Sequence, residues 1–336
     1  MGTHGNHKGS AFMRVKIWGA RGSLPSPALP QAQEAQIRGL LQGFFEKGYQ
    51  SAAQIEPYLQ SLPRHSFGGY GGNTPCIEVR SSQSQVIIDG GSGLRMLGYE
   101  MMNGACARGT GVAHIVFTHF HWDHLIGLSF FTPFFIPGNQ IHVYAVQPDL
   151  PEVFETVFKK PYFPVPLQHL GAKIHYHRLE PRKPFNIGDI TLTPYELDHP
   201  DPCWGFKFEN GGKVFSHCVD TECTRVSPEQ LGPDQGLYQN VDLMIFDAQY
   251  TLMETIEKVN WGHAAASLGL DIAMREGIKR VLFMHHDPAS TNEKIAAAEA
   301  QARRYYDKQL KDSRHSGNGA RPVQWEFAFE GMDLEV

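Results

Sequence analysis

The sequence predicts an α/β protein, a sandwich of two mixed β-sheets flanked by helices. Three observations carry this. Strand-like runs come in two batches, and each batch closes with helix-like segments. No internal repeat or low-complexity linker marks off a second domain, so residues 14–336 read as one unit behind a flexible tail at 1–13. With 41% hydrophobic and 19% charged residues, the chain has the make-up of a globular protein long enough to bury a substantial core.

In chain order, VKIWGA reads as a strand leading into the glycine turn RGSLPSP, and strand signals return at 77–79 and 86–89. Between them, Ile37, Leu40, Leu41, Phe44 and Phe45 have the spacing of one helix face, and Ser51 with Gln54 resembles a capping box for a second short helix. This is a helical insertion at about 30–65 whose apolar face is expected to pack on the body of the protein, in preference to acting as a lid or dimer contact. AHIVF runs as a strand straight into HFHWDH. Strands are expected at 141–146, 174–177, 190–195, 205–209 and 214–218, and VDLMIFDA as a buried strand. A helix follows at about 264–276, VLFMHHD is again strand into loop, Ser290 with Glu293 caps a helix to about 310, and VQWEFAFEG alternates as the closing strand.

The formal charge of −5 argues against a general nucleic-acid binder, which usually shows a basic surplus. Five scattered cysteines without a CxxC pair do not form a disulfide framework. The first residues lack the apolar stretch of a signal peptide and no run is long enough to span a membrane, so a cytoplasmic protein is expected, with His4 and His7 belonging to the tail.

Chemistry concentrates in His119-Phe120-His121-Trp122-Asp123-His124, where four of six residues can ligate a metal on a turn after a strand. On such a loop His119 and His121 can converge on one ion while Asp123 and His124 turn toward a neighbour. Imidazoles and carboxylates suit zinc, and also manganese or iron.

This HxHxDH pattern resembles the signature of the metallo-β-lactamase superfamily, and the resemblance runs from about 14 to 290. It implies the αββα sandwich of that family and a two-metal hydrolase. By the same resemblance, Asp89 in VIIDGGSG supports the metal loop, His199 follows in ELDHPDP, Asp220 in SHCVDTE bridges both metals, and His285 in VLFMHHDP, in preference to His286, is the last ligand. The implied centre holds one divalent metal ion on His119, His121 and His199 and the other on Asp123, His124 and His285, with Asp220 shared and positions left for water and substrate.

Within the superfamily, β-lactamases generally lack the second residue of the DH pair, the di-iron redox branch has glutamate where His121 stands, and glyoxalase II lacks the next feature. That feature is Asp247 in FDAQYT with His263 in NWGH, which resembles the ribonuclease Z and cyclic-phosphate phosphodiesterase branch. There Asp247 holds the imidazole and His263 donates a proton to the leaving oxygen; otherwise His263 caps the following helix. The series IWGARGSLPSP, GGNTPC, PYFPVPL, VDTE, FDAQYT, NWGH and HHDP looks most like bacterial metal-dependent phosphodiesterases of cyclic nucleotides or cyclic phosphates. The resemblance thus implies a small phosphodiester substrate, a metal-activated water as nucleophile, Asp123, Asp247 and His263 in catalysis, and a possible homodimer. Pre-tRNA processing is demoted because residues 125–200 hold no basic glycine- and proline-rich arm; a di-iron redox protein and a binding or sensor module are the other readings.

Of the remaining residues, Asn73 and Thr74 either touch the site or serve the turn, Trp122 is expected to pack, and His217 is balanced between a supporting role and a plain strand position. Cys218 and Cys223 read as structural, and the histidines of IHYHR are expected to face solvent.

Overall fold

The computed structural model describes residues 12–316 and 321–336. His4 and His7 lie outside the described residues; Met13 is already buried, and its carbonyl accepts from Val336 N. Six strands come first: β1 (Arg14–Gly19), β2 (Cys76–Arg80), β3 (Gln85–Ile88), β4 (Val112–Val116), β5 (Gln140–Ala145) and β6 (Lys173–Arg178). Seven more follow: β7 (Phe185–Ile187), β8 (Ile190–Glu196), β9 (Trp204–Asn210), β10 (Lys213–Cys218), β11 (Leu243–Asp247), β12 (Arg280–Met284) and β13 (Gln324–Phe327). The chain then returns as β14 (Asp333–Glu335) to the edge of the first sheet, beside β1. The sheet orders are β14-β1-β2-β3-β4-β5-β6 and β13-β12-β11-β10-β9-β8-β7, each parallel in one part and antiparallel in the other. The sequence did not anticipate β7 and β14, because FNI and DLE are too short to show an alternation.

Helices α1 (Pro30–Glu46) and α2 (Ile55–Gln60) form the insertion; α3 (Leu94–Met101) and α4 (Leu150–Val157) cover the first sheet. Short α5 (Pro228–Leu231) and α6 (Leu252–Glu257) precede and follow β11, and α7 (Ala266–Glu276) and α8 (Asn292–Ser316) cover the second sheet. Three apolar layers result. Val15, Ile77, Phe206, Phe215 and Leu282 fill the space between the sheets. Ile115 and Val143 pack under Leu97 and Phe154, and Phe246 and Phe283 under Leu270 and Ile295. A parallel strand covered on both sides must be apolar throughout, which is why VLFM and LMIF carry no polar residue. Among the described residues, no helix is long and apolar enough to cross a membrane.

Three local expectations are corrected. The apolar face of α1 does not pack on the body: Ile37, Leu41 and Phe45 are exposed, and no residue of α1 is fully buried. Five apolar positions span a wider arc than the contact uses, and only Leu40 and Phe44 turn inward, where Phe44 meets Tyr49 and Tyr58 and the Tyr58 hydroxyl donates to Leu40 O. The hydroxyl that accepts in the first turn of α8 is that of Thr291, from Lys294 N; Ser290 is buried and its carbonyl accepts from Arg21.

The IHYHR histidines do not face solvent. His175 and His177 are half-buried at the end of the inter-sheet space, stacked on His142 and Tyr144 at 4.6 and 4.5 Å, with His114 on His142 at 5.0 Å. Burial and the neighbouring His142 and His177 lower the His114 pKa to about 4, below its ordinary 6.5. A histidine held neutral costs nothing above pH 6.5, but between 6.5 and 4 the unfolded chain binds the proton that the folded one refuses, so stability falls with pH in that window. His114→Asn is expected to lose about 1 kcal/mol less stability than wild type between pH 7 and pH 5, after allowing for solvent screening at this half-buried site. Urea midpoints at the two pH values check it; parallel losses would remove the ladder as a source of acid sensitivity.

Candidate metal centre

The predicted ligands, and the supporting Asp89 and Asp247, sit at or shortly past the carboxyl ends of strands at one end of the sandwich, His199 three residues after β8. Asp89 follows β3, His119 to His124 follow β4, Asp220 follows β10 and His285 follows β12, while Asp247 is the last residue of β11. Asp89, Asp220 and His285 all adopt left-handed backbone, with φ of 62°, 64° and 68°. Such conformations cost energy in non-glycine residues and persist where the surroundings impose them, as in functional sites.

Three sets of donor atoms are each gathered within 4.8 Å: first His119, His121 and His199; second Asp123, His124, Asp220 and His285; and a third, Asp220, Asp247, His263 and His285, that overlaps the second. Asp220 reaches the first set through His119 Nε2, 4.0 Å from its Oδ1. In the second set, His124 Nε2 lies 3.2 Å from Asp220 Oδ2 and 3.3 Å from Asp123 Oδ2, and His285 Nε2 lies 3.2 Å from Asp123 Oδ2. The second set is buried, whereas His121 is exposed and His199 half-buried, so the first set is the open side of the site.

Each of these histidines spends one ring nitrogen on the protein and turns the other inward. His119 Nδ1 donates to Thr118 Oγ1 at 3.1 Å, and that hydroxyl passes its own proton to Asp89. His124 Nδ1 donates to Asp89 Oδ2 at 2.9 Å, and His285 Nδ1 to Gln249 Oε1 at 2.7 Å. His121 Nε2 donates to Asp201 Oδ2 at 2.9 Å, leaving Nδ1. His199 Nδ1 donates to the Asp201 carbonyl at 2.9 Å, a shorter contact than the 3.2 Å approach of Asp201 N to the same nitrogen. Acceptors placed this way fix the tautomer and aim the remaining lone pair, the usual arrangement around a ligating imidazole.

Among the described residues, four of the inward atoms find no protein partner, whereas His285 Nε2 bonds Asp123 Oδ2 at 3.2 Å. His119 Nε2, His124 Nε2, His199 Nε2 and Asp220 Oδ2 are buried without a hydrogen bond; the 3.2 Å contact between His124 and Asp220 is out of line for one. Burying such atoms is costly unless a cation joins them. Burial alone opposes charge at His124, yet Asp123, Asp220 and Asp89 outweigh it and hold its pKa well above the usual histidine value. Burial likewise opposes charge on Asp220, but His285, His124 and His119 hold it well below the usual carboxylate range. The donor set therefore suits two divalent cations, with Asp220 between them.

Beside this cluster, His263 Nδ1 lies 3.0 Å from Asp247 Oδ2, and the ring stacks on His285 at 4.8 Å. A carboxylate only accepts, so Nδ1 carries the proton and Nε2 is the free nitrogen. His263 does not cap α7, which begins three residues later with Ala265 at its N-cap and no side-chain cap. His286 points away from the site: its Nε2 donates to Ala328 O and its ring stacks on Phe327. Asn73 and Thr74 serve the turn, bonding Ser92 and Glu330. His217 lies fully buried below the site with no hydrogen bond to any ligand. All five cysteines are buried and unpaired. Trp122 does not pack; it is 63% exposed.

Sequence reasoning missed Thr118, Asp201 and Gln249, the acceptors that orient four of the imidazoles. Gln249 stands two residues after Asp247 in FDAQYT, so its place was visible although its role was not.

Two facing sheets with a His/Asp cluster at their strand ends define a metal-binding sandwich protein. Residues 84–286, more than half of the chain, match the beta-lactamase superfamily domain, and the chain belongs to that superfamily. No curated protein matches it by sequence. Among solved structures, the metallo-beta-lactamase fold protein YhfI from Bacillus subtilis is 13% identical with a TM-score of 0.59, covering 97% of this chain and 99% of its own. A diphosphatase of the PhnP family is 17% identical with a TM-score of 0.57, covering 96% and 98%. Human tRNase Z, short form, is 15% identical with a TM-score of 0.56, covering 96% and 98%. At these identities the shared property is the metallo-β-lactamase fold.

Proposed function

We propose that the protein is a dinuclear metal-dependent phosphodiesterase acting on a cyclic nucleotide or other cyclic phosphate, with zinc as the first candidate metal and manganese or iron as others that fit the donors. The observation that carries this reading is the Asp247–His263 pair, held 3.0 Å apart beside Asp220, which belongs to the buried donor set and lies 4.0 Å from His119 of the open one. Two bound cations supply Lewis-acid activation of water and neutralise charge on the phosphoryl oxygens. The chain supplies the rest. The open set around His121 and His199 receives the substrate, and Asp89 and Gln249 keep the imidazoles in place. His263 gives a proton through Nε2 to the leaving oxygen, while Asp247, bound at Nδ1, steadies the imidazolium before transfer. A cyclic diester suits this geometry because its leaving oxygen stays tethered during ring opening.

Two of the fold relatives are named a diphosphatase and a tRNase, both for cleavage of phosphate linkages. A net charge of −5 and the absence of a basic arm favour a small diester over RNA. The test is a panel of bis-nitrophenyl phosphate, 2′,3′- and 3′,5′-cyclic nucleotides, cyclic dinucleotides and a ribose cyclic phosphate, assayed with defined metals. Metal-dependent turnover, highest on a cyclic substrate, is expected. Metal-loaded protein that hydrolyses none of them, or a coloured iron form that reacts with oxygen, overturns the reading.

A further inference from the structure

We propose that Trp261 and Lys258 form a subsite for a heteroaromatic base, which makes the substrate a nucleoside phosphodiester instead of a sugar phosphate alone; this rests on the phosphodiesterase reading above. The loop that carries Trp261 is held at Gly262. Trp261 is joined through Gly262 to His263, and Gly262 lies so close to His199 that a Cβ there would fall 2.2 Å from the imidazole Cδ2. Gly262 also adopts φ of +86°, and its N–H donates to Glu222 Oε1 at 3.0 Å, which pins the loop. The indole thus stands one residue from a contact with an open-side histidine and two from His263.

Despite this central place, Trp261 is 63% exposed. An indole on the loop that carries His263, with its ring left to solvent, offers a face for stacking. Lys258 ties it to the reacting groups. Its Nζ is 5.9 Å from the Trp261 ring and 4.1 Å from that of Tyr250, and Tyr250 meets His263 edge-on at 5.5 Å. The same amine approaches Asp287 Oδ2 at 3.5 Å, which holds it at the rim. A base lying on the indole would present its ring acceptors to this ammonium. Trp122, next to His121 and also 63% exposed, gives the rim a second aromatic surface. A base-free cyclic phosphate would use none of these groups, whereas stacking on an aromatic side chain commonly accounts for roughly tenfold or more in affinity.

The experiment uses the full chain loaded with zinc or manganese and measures calorimetric binding of adenosine 5′-monophosphate and ribose 5-phosphate. The nucleotide is expected to bind roughly tenfold tighter or better. Trp261→Leu should remove that advantage while leaving ribose 5-phosphate affinity and metal content unchanged, and Lys258→Met should remove part of it. Ile256→Ala, on the exposed side of α6, should change neither ligand. Equal affinity for the two ligands in wild type, or a Trp261→Leu loss common to both, overturns the subsite. Binding is read without turnover, so the two proposals fail separately. Adenosine monophosphate bound through Trp261 by a protein that cleaves no diester sinks the phosphodiesterase reading alone. Equal kcat/KM for 2′,3′-cyclic AMP and ribose cyclic phosphate, in wild type and Trp261→Leu alike, sinks the subsite alone.

Discussion

Replacing Asp220 with alanine is expected to abolish metal occupancy and hydrolysis together. Among the described residues, no other carboxylate lies within 4.0 Å of histidines in both donor sets: Asp220 Oδ1 lies 3.4 Å from His285 Nε2 and 4.0 Å from His119 Nε2, and its Oδ2 lies 3.2 Å from His124 Nε2. Without it, His119 loses the carboxylate that faces its Nε2, and His124 and His285 retain only Asp123 on their inward side. Because Asp220 occupies a left-handed conformation, alanine there adds backbone strain to the lost ligand. Asp220→Asn separates the two effects, since asparagine tolerates that conformation and keeps the shape but cannot bridge two cations as a carboxylate does. By elemental analysis Asp220→Ala should lose both metal equivalents and Asp220→Asn should fall below one, with circular dichroism of Asp220→Asn unchanged. Retention of both metals and of activity in Asp220→Asn would falsify the two-metal centre.

The site was more legible than its surroundings, for a physical reason. Ligand chemistry is local: four donor residues in the six from His119 to His124 have few other uses, and Asp89, Asp220, Asp247 and His285 each stand at or just past the end of an apolar run that a buried strand requires. What orients those ligands is not local. Asp201 meets His121 across 80 residues and Gln249 meets His285 across 36, and nothing in the spacing of a lone Asp or Gln announces such a contact. Periodicity likewise tells which face of a helix is apolar but not how much surface waits to cover it. Hence α1 was read correctly as a helix and wrongly as a packed one. The same limit hid the exposure of Trp122, and the stacking of His114, His142, His175 and His177 depends on the register of three strands.

His263→Ala carries the second large effect, and it distinguishes a proton donor from a ligand. His263, Asp247, Asp220 and His285 also fall within 4.8 Å of one another, so a metal held by His263 is a geometric rival to the proposed role. The bonds of Asp247 argue against that rival. Its Oδ2 accepts from His263 Nδ1 and Asp220 N, and its Oδ1 from Ala264 N and Gln249 N, which uses the carboxylate fully and leaves it as a positioning residue. With Nδ1 committed to Asp247, His263 has only Nε2 to offer, and the leaving oxygen is the partner that the phosphodiesterase reading gives it. The alanine variant should keep both metals and lose roughly 10²–10⁴ in turnover of a cyclic diester, the range usual for general acid catalysis. Bis-nitrophenyl phosphate decides the matter, because nitrophenolate leaves without being protonated and its turnover should be far less affected. An equal loss on both substrates removes the proton-donor role, and a loss of metal in the same variant makes His263 a ligand.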